Sequence, residues 1–297
     1  PVVNEYVEFI RNALLHLGLK QPMKVRKFLP FITHDIDELY RYQKFSRVMR
    51  ALAGDLIRRR SISSFLNTLR DSMAIRAGRK PDNYDTFDML MDLSEAHGLT
   101  SHFYFIPGEP GEPDVRYSIG DKRVYEVVKT IKQRGHRVGM HASYSSYNDP
   151  GQFASEVDRM KKMDPEIEGG RQHYLRFKNP ETFRLWADHH LGYDSTLGYS
   201  GDGGFRTGCC YPYPVFDLKN RRALDLMEKP VTVMEVGLRK KINSPGQFLE
   251  RIAYYVDTVK KYNGEFVLVW HNSSFNTWEW NSDWLGVYKK TLNLLTG

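Results

Sequence analysis

Phe28-Leu29-Pro30-Phe31-Ile32-Thr33-His34-Asp35-Ile36-Asp37 is the stretch around which the chain is organised, because an apolar run leads directly into two carboxylates placed two residues apart. In a strand, positions i and i+2 point to the same face. If the run is a buried strand of an α/β domain, Asp35 and Asp37 emerge side by side at its carboxyl end, where such folds keep their chemistry. Two like charges that close raise one pKa or call for a cation. An Asp-rich turn or a helix N-cap without chemistry explains the stretch equally well when it is taken alone. The rest of the chain has to decide.

Downstream, helical and strand-like segments alternate. Residues 86–96 are helical and close at Gly98 before the strand-like run 102–106. Helix 121–134 precedes strand 136–143, and helix 150–163 precedes strand 169–177. A helix opened by Asn179-Pro180 and ended by Gly192 precedes strand 193–199. After a Gly/Pro/aromatic loop, strand 231–238 leads to a helix over 244–262, and strand 264–271 to a last helix over 284–295. With the opening strand this makes about seven β/α units, and the alternation predicts a parallel sheet, open or closed into a barrel. Pro30 is awkward inside the first strand, which therefore begins after it or lies at a barrel seam.

Two segments flank this pattern. Residues 4–17 place Val7, Ile10, Leu14 and Leu17 at helical spacing, so 1–27 is read as a flanking amphipathic helix packed on the outside. Residues 38–83 form a basic insertion of one or two helices, with Arg47, Arg50, Arg58, Arg59, Arg60, Arg70, Arg76, Arg79 and Lys80. A charge run is usually a solvated face; its functional reading is a cradle for an anionic substrate or a phosphate-bearing carrier. Residues 28–297 are taken as a single domain.

Composition narrows the class. At 297 residues with 27% charged and 41% hydrophobic content the chain reads as globular, and no apolar run approaches the roughly 20 residues that span a bilayer. The only cysteines, Cys209 and Cys210, are neighbours and poorly placed to close a disulfide. With no signal-peptide pattern in view, a reducing, cytoplasmic compartment is the expectation. The net charge of +7 fits an acidic glycan, a membrane surface or nucleic acid without selecting one. No recognition helix or aromatic-interleaved basic strand supports the last.

Parallel strands would bring Asp35, Asp37, His141, Arg171, His173 and His271 to one rim. Asp, His and His around an open position make a catalytic rather than a structural zinc-type site. His34, His97, His102, His136, His189 and His190 read as ordinary hydrogen-bonding histidines.

Four ordered motifs, Thr33-His34-Asp35-Ile36-Asp37, Gly139-Met140-His141-Ala142-Ser143-Tyr144, Arg171-Gln172-His173-Tyr174 and Val267-Leu268-Val269-Trp270-His271-Asn272, resemble those of the polysaccharide deacetylases, carbohydrate esterase family 4. The resemblance spans nearly the whole chain and implies a distorted (β/α) barrel of about seven parallel strands with outer helices. It also implies a metal-dependent hydrolase that removes N-acetyl, less readily O-acetyl, groups from a sugar, acting on carbon–nitrogen bonds other than peptide bonds. The implied partner is an acetylated carbohydrate, anionic in keeping with the basic chain. By the same resemblance Asp35 is the general base, His271 the general acid and Arg171 the residue that orients Asp35. Asp37 and His141 bind one divalent metal, Zn2+ first among candidates.

The chain departs from the family where a second metal histidine is usual, four residues after the first: Ser145 stands there. His173, two residues past Arg171 on the same strand face, is the expected replacement. Arg206, Tyr144, Tyr174 and Trp278 are candidate substrate contacts, and the loop 201–217, with Tyr211 and Tyr213, is expected to face the same rim. Two rivals stay open: hydrolysis of another linear or cyclic amide on this scaffold, and a glycan-binding module whose metal site has decayed.

Overall fold

The computed structural model describes residues 1–22, 24–42, 45–242, 244–275 and 283–297. In it β1 (Leu29–Ile36), β2 (Ser101–Phe105), β3 (Arg137–Ala142), β4 (Gly169–Gln172), β5 (Tyr193–Asp194), β6 (Tyr213–Asp217), β7 (Arg222–Glu228), β8 (Val233–Met234) and β9 (Glu265–Val269) form one sheet in the order β6-β7-β5-β4-β3-β2-β1-β9-β8. All neighbours are parallel except the β6–β7 hairpin. Residues 229–232 then bridge the ends of the curved sheet. Lys229 N donates to Asp194 O and Val231 N to Leu197 O on the β5 side, while Thr232 N donates to Val267 O of β9. The result is a distorted (β/α) barrel, as expected, with the hairpin as an added antiparallel edge.

Strand alternation sorts the residues into two cores. Outward-facing Ile32, Ile36, Phe103, Phe105, Met140 and Leu268 pack beneath the helices α4 (Phe87–Ala96), α5 (Lys122–Gln133), α6 (Pro150–Met163), α7 (Glu181–Asp188), α9 (Pro245–Lys261) and α10 (Trp284–Thr296). Inward-facing Phe31, Tyr104, Tyr193, Val267 and Val269 fill the barrel. The same alternation turns His34 outward, where Nδ1 meets the carbonyl of Trp270 and Nε2 meets Ser101 Oγ. Thr33 and Asp35 turn inward. Gly139 makes room for the filling: a β-carbon there would lie 2.6 Å from the Tyr104 ring.

Several expectations are corrected. Pro30 belongs to β1 and lies at no seam. At its level β1 pairs only with β9, since the β2 ladder starts at Ile32, so the missing N–H costs one neighbour nothing. The expected strand 231–238 is β8 followed by α8 (Glu235–Arg239), and 169–177 is a strand only to Gln172 before a tight turn at His173–Leu175. The 193–199 segment is strand only at Tyr193–Asp194. The loop after β5 descends to the opposite end of the barrel, where Glu265 N donates to Cys210 O and Tyr211 Oη to Tyr262 O, and so carries Tyr211 away from the rim.

The flanking helix α1 (Val2–His16) lies outside, but inverted. Asn4 is its buried residue and accepts from Cys210 N, while Phe9 and Leu17 are 72% and 81% exposed. The basic insertion supplies α2 (Phe45–Ile57) and α3 (Ile62–Arg76), joined through a small core of Tyr42, Val48 and Leu52. Among the described residues no helix is long and apolar enough to cross a membrane.

Candidate functional site

β1 delivers Asp35 and, just past its end, Asp37. Beside them β3 carries His141, β4 carries Arg171, the turn after β4 carries His173, and β9 leads into His271. Asp35, Asp37, His141, His173 and His271 line one cavity of about 210 Å³, together with an apolar wall of Leu175, Met234 and Val236. A cavity that small takes a group the size of an acyl substituent, with any larger portion lying outside.

Asp35 is buried and clamped. Arg171, itself fully buried, donates from Nη1 to Asp35 Oδ1 at 2.6 Å and to Thr33 Oγ1 at 3.1 Å, while its Nε and Nη2 hold Ser195 O and Oγ. Burial alone would raise the Asp35 carboxyl, but Arg171 and then His141 and His271 hold it below its ordinary value. Thr33, the strand-face partner of Asp35, fixes the fork from below by donating to Leu268 O.

Asp37, His141 and His173 bring one ligand atom each within 4.8 Å of one another. His141 donates from Nδ1 to Arg171 O at 3.0 Å, which leaves the lone pair of Nε2 facing the cavity. That Nε2 and Asp37 Oδ1 are buried without a hydrogen-bond partner of good geometry, yet stand 3.3 Å apart; His173 Nε2 is 3.5 Å from the same oxygen. Ligands of a zinc-type ion about 2.0–2.2 Å from it, at a tetrahedral angle, stand roughly 3.3–3.5 Å apart. The donor set therefore fits a divalent cation. Burial would push the Asp37 carboxyl up, but its contacts to His141 and His173 hold it well below the usual range.

His271 faces the cavity from the other side, its Nε2 3.7 Å from Asp37 Oδ2. Its Nδ1 and backbone N both donate to Glu235, at 2.9 Å and 2.8 Å to Oε1. Burial would lower the imidazole, but Glu235, reinforced by Asp37 and Asp35, pushes it up to about 10. Ser274 Oγ donates to the same Glu235 oxygen. Sequence reasoning missed Glu235. A signal was present, an acid inside the apolar run 231–238, and it went unread because the segment was assigned to a strand.

The substrate candidates separate. Tyr174 lines the cavity, its ring 4.4 Å from that of His173, and both it and Leu175 hold positive φ. Tyr144 supports it edge-on at 5.7 Å and is in turn capped by the Arg176 guanidinium. Arg206 donates to Gly198 O and is not part of the cavity lining. Trp278 lies outside the described residues.

No protein-family model and no curated protein matches the sequence. Solved structures do match. One is of a protein named a polysaccharide deacetylase from Mycobacterium smegmatis, with a TM-score of 0.56 and 14% identity over 94% of this chain and 87% of that one. Another, named a polysaccharide deacetylase from Pseudomonas aeruginosa PAO1, has a TM-score of 0.54 and 12% identity, covering 90% and 84% of the two chains. The chain has their fold. At these identities the likeness speaks for architecture, and the chemistry rests on the residues above.

Proposed function

We propose that the chain is a metal-dependent deacetylase that hydrolyses the N-acetyl group of a sugar in a polysaccharide or glycan precursor, with residues 28–297 as the catalytic unit. The observation that carries this reading is the convergence on one small cavity of an Asp-His-His donor set, an aspartate clamped by Arg171 and a histidine hydrogen-bonded to Glu235. In this reading Asp37, His141 and His173 hold the cation. A divalent cation held there supplies Lewis acidity, which polarises an acyl carbonyl and acidifies water.

The chain's own residues do the rest. Asp35, kept anionic by Arg171, accepts the proton of the attacking water as a new carbon–oxygen bond forms. His271, kept protonated by Glu235, gives its Nε2 proton to the departing nitrogen as the carbon–nitrogen bond breaks, yielding acetate and a free amine. Leu175, Met234 and Val236 suit the acetyl methyl, and Tyr174 suits the face of a sugar ring. Acetate release from a short N-acetylated amino-sugar oligomer, abolished by a chelator and restored by zinc, is the expected result. Turnover indifferent to the chelator, or confined to small amides, would overturn the reading.

A further inference from the structure

Beside the candidate site lies a second cavity, of about 550 Å³, lined by Arg41, Arg47, Arg50, Arg58, Arg59 and Arg116 around Glu38 and Tyr84. Its wall is one face of α2, Arg47, Arg50, Ala51 and Gly54, continued at helical spacing by Arg58 just past the helix end, whose N–H donates to Gly54 O. The two small residues leave the floor open, and a β-carbon on Gly54 would meet nothing within 4 Å. The adjoining face of the helix, Val48 and Leu52, is packed, so the arginine face is fixed in place.

Positive charge dominates the cleft. Arg47 holds Glu38 at 2.7 Å, Arg59 holds Asp55 at 2.6 Å and Arg116 holds Asp114 at 3.1 Å, while Arg41 donates to Tyr84 Oη at 3.3 Å. Arg50 on α2 and Arg58 just past its end, both exposed, add two further guanidiniums to that lining. Arginine forks match phosphate oxygens in bidentate pairs, and several in one cavity suit a compact, multiply charged group better than a single sugar carboxylate.

The cleft is also tied to the site. Glu38 follows Asp37 directly, and Asn272, which follows His271 directly, donates from Nδ2 to the carbonyls of both Glu38 and Tyr84 at 2.8 Å.

We propose that this cleft seats a pyrophosphate group, so that the substrate is an acetylated sugar still joined through pyrophosphate to its carrier and not the finished polymer. The inference rests on the deacetylase reading for the sugar but not for the anion, and the two can fail separately. The test is calorimetric titration of the full chain, cleared of bound metal so that chelation cannot mimic binding, with inorganic pyrophosphate at fixed ionic strength. Arg50 and Arg58 are exposed, so Arg50→Gln/Arg58→Gln should fold and weaken pyrophosphate binding by about tenfold or more, the scale of lost charge-assisted hydrogen bonds. A control that removes distant charge, Lys20→Gln/Lys24→Gln, should bind as the parent does.

Equal losses in the two variants, or a glucuronate oligomer binding as tightly as pyrophosphate, would overturn the proposal. Displacement of pyrophosphate by a nucleotide-linked or a prenyl-pyrophosphate-linked N-acetyl sugar would support it and identify the carrier; displacement by neither would overturn it. If pyrophosphate binds as expected while no acetate is released from any sugar, the deacetylase reading fails and the anion site stands.

Discussion

Replacing Arg171 by Met should cost the fold about 3–5 kcal/mol, the usual penalty for leaving one partner of a buried ion pair uncompensated. The structure sets this scale. The Arg171 side chain is fully buried and the Asp35 side chain 3% exposed, at 2.6 Å from each other. Methionine can fill the volume beside the Tyr104 ring, over which the guanidinium lies at 5.1 Å, but it offers nothing to Asp35, Thr33 Oγ1 or the two Ser195 oxygens. The carboxylate would then sit in the barrel with its strongest counter-charge gone. Adding Asp35→Asn to the Arg171→Met variant removes that stranded charge and should recover part of the loss, giving a coupling of at least about 2 kcal/mol. Urea unfolding followed by far-UV circular dichroism on parent, both single variants and the double variant measures it. A loss below about 1 kcal/mol for Arg171→Met, or single effects that add within about 0.5 kcal/mol, would refute the clamp.

Further outcomes follow from other parts of the site. Glu235→Gln should lower turnover of an N-acetyl sugar by about a hundredfold or more with KM nearly unchanged, as expected when a general acid loses its proton reserve; steady-state kinetics would show it, and unchanged kcat would rule it out. Gly139→Ala should displace the Tyr104 ring, and with it the guanidinium packed on that ring, so that stability and turnover fall together in thermal melts and acetate assays. Asp194 and Glu228 are both fully buried, and burial raises Asp194 to about 7 and Glu228 well above its ordinary value. The folded state therefore binds more protons than the unfolded chain above the ordinary carboxyl range, and its stability should fall as pH climbs through about 7. Glu228→Gln should flatten that decline in melts recorded between pH 6 and pH 9, and an unaltered profile would contradict it.

Much of the site was legible because strand alternation is strict. The alternation that turns Asp35 of β1 inward carries on to Asp37 just past the strand, and His141 falls at the end of β3 and His271 just beyond β9. The departure at Ser145 directed attention to His173, which the structure places beside Asp37 and His141, although from a tight turn beyond the strand. What escaped was set by tertiary context. β8 is only Val233–Met234, too short for periodicity to register, so Glu235 looked like a strand residue when it opens α8 beneath His271. β6 hid in the Gly- and Pro-rich loop 201–217 and β7 in the charged stretch after it, and the descent of the leading loop took Tyr211 away from the rim. Amphipathicity located α1 but not its orientation, because the polar contact of Asn4 with Cys210 N turns the apolar face outward.

In the proposed site Asp37, His141 and His173 hold one divalent cation, with Ser145 taking no part. Elemental analysis of zinc bound per chain, after equilibration and removal of loosely held ion, tests it directly on the parent, His173→Ala and Ser145→Ala. The parent and Ser145→Ala should each hold about one equivalent, and His173→Ala should lose at least about tenfold in affinity, as for removal of a ligand from a three-residue site. An unaffected His173→Ala alongside a metal-free Ser145→Ala, or a parent chain that holds no zinc, would contradict it.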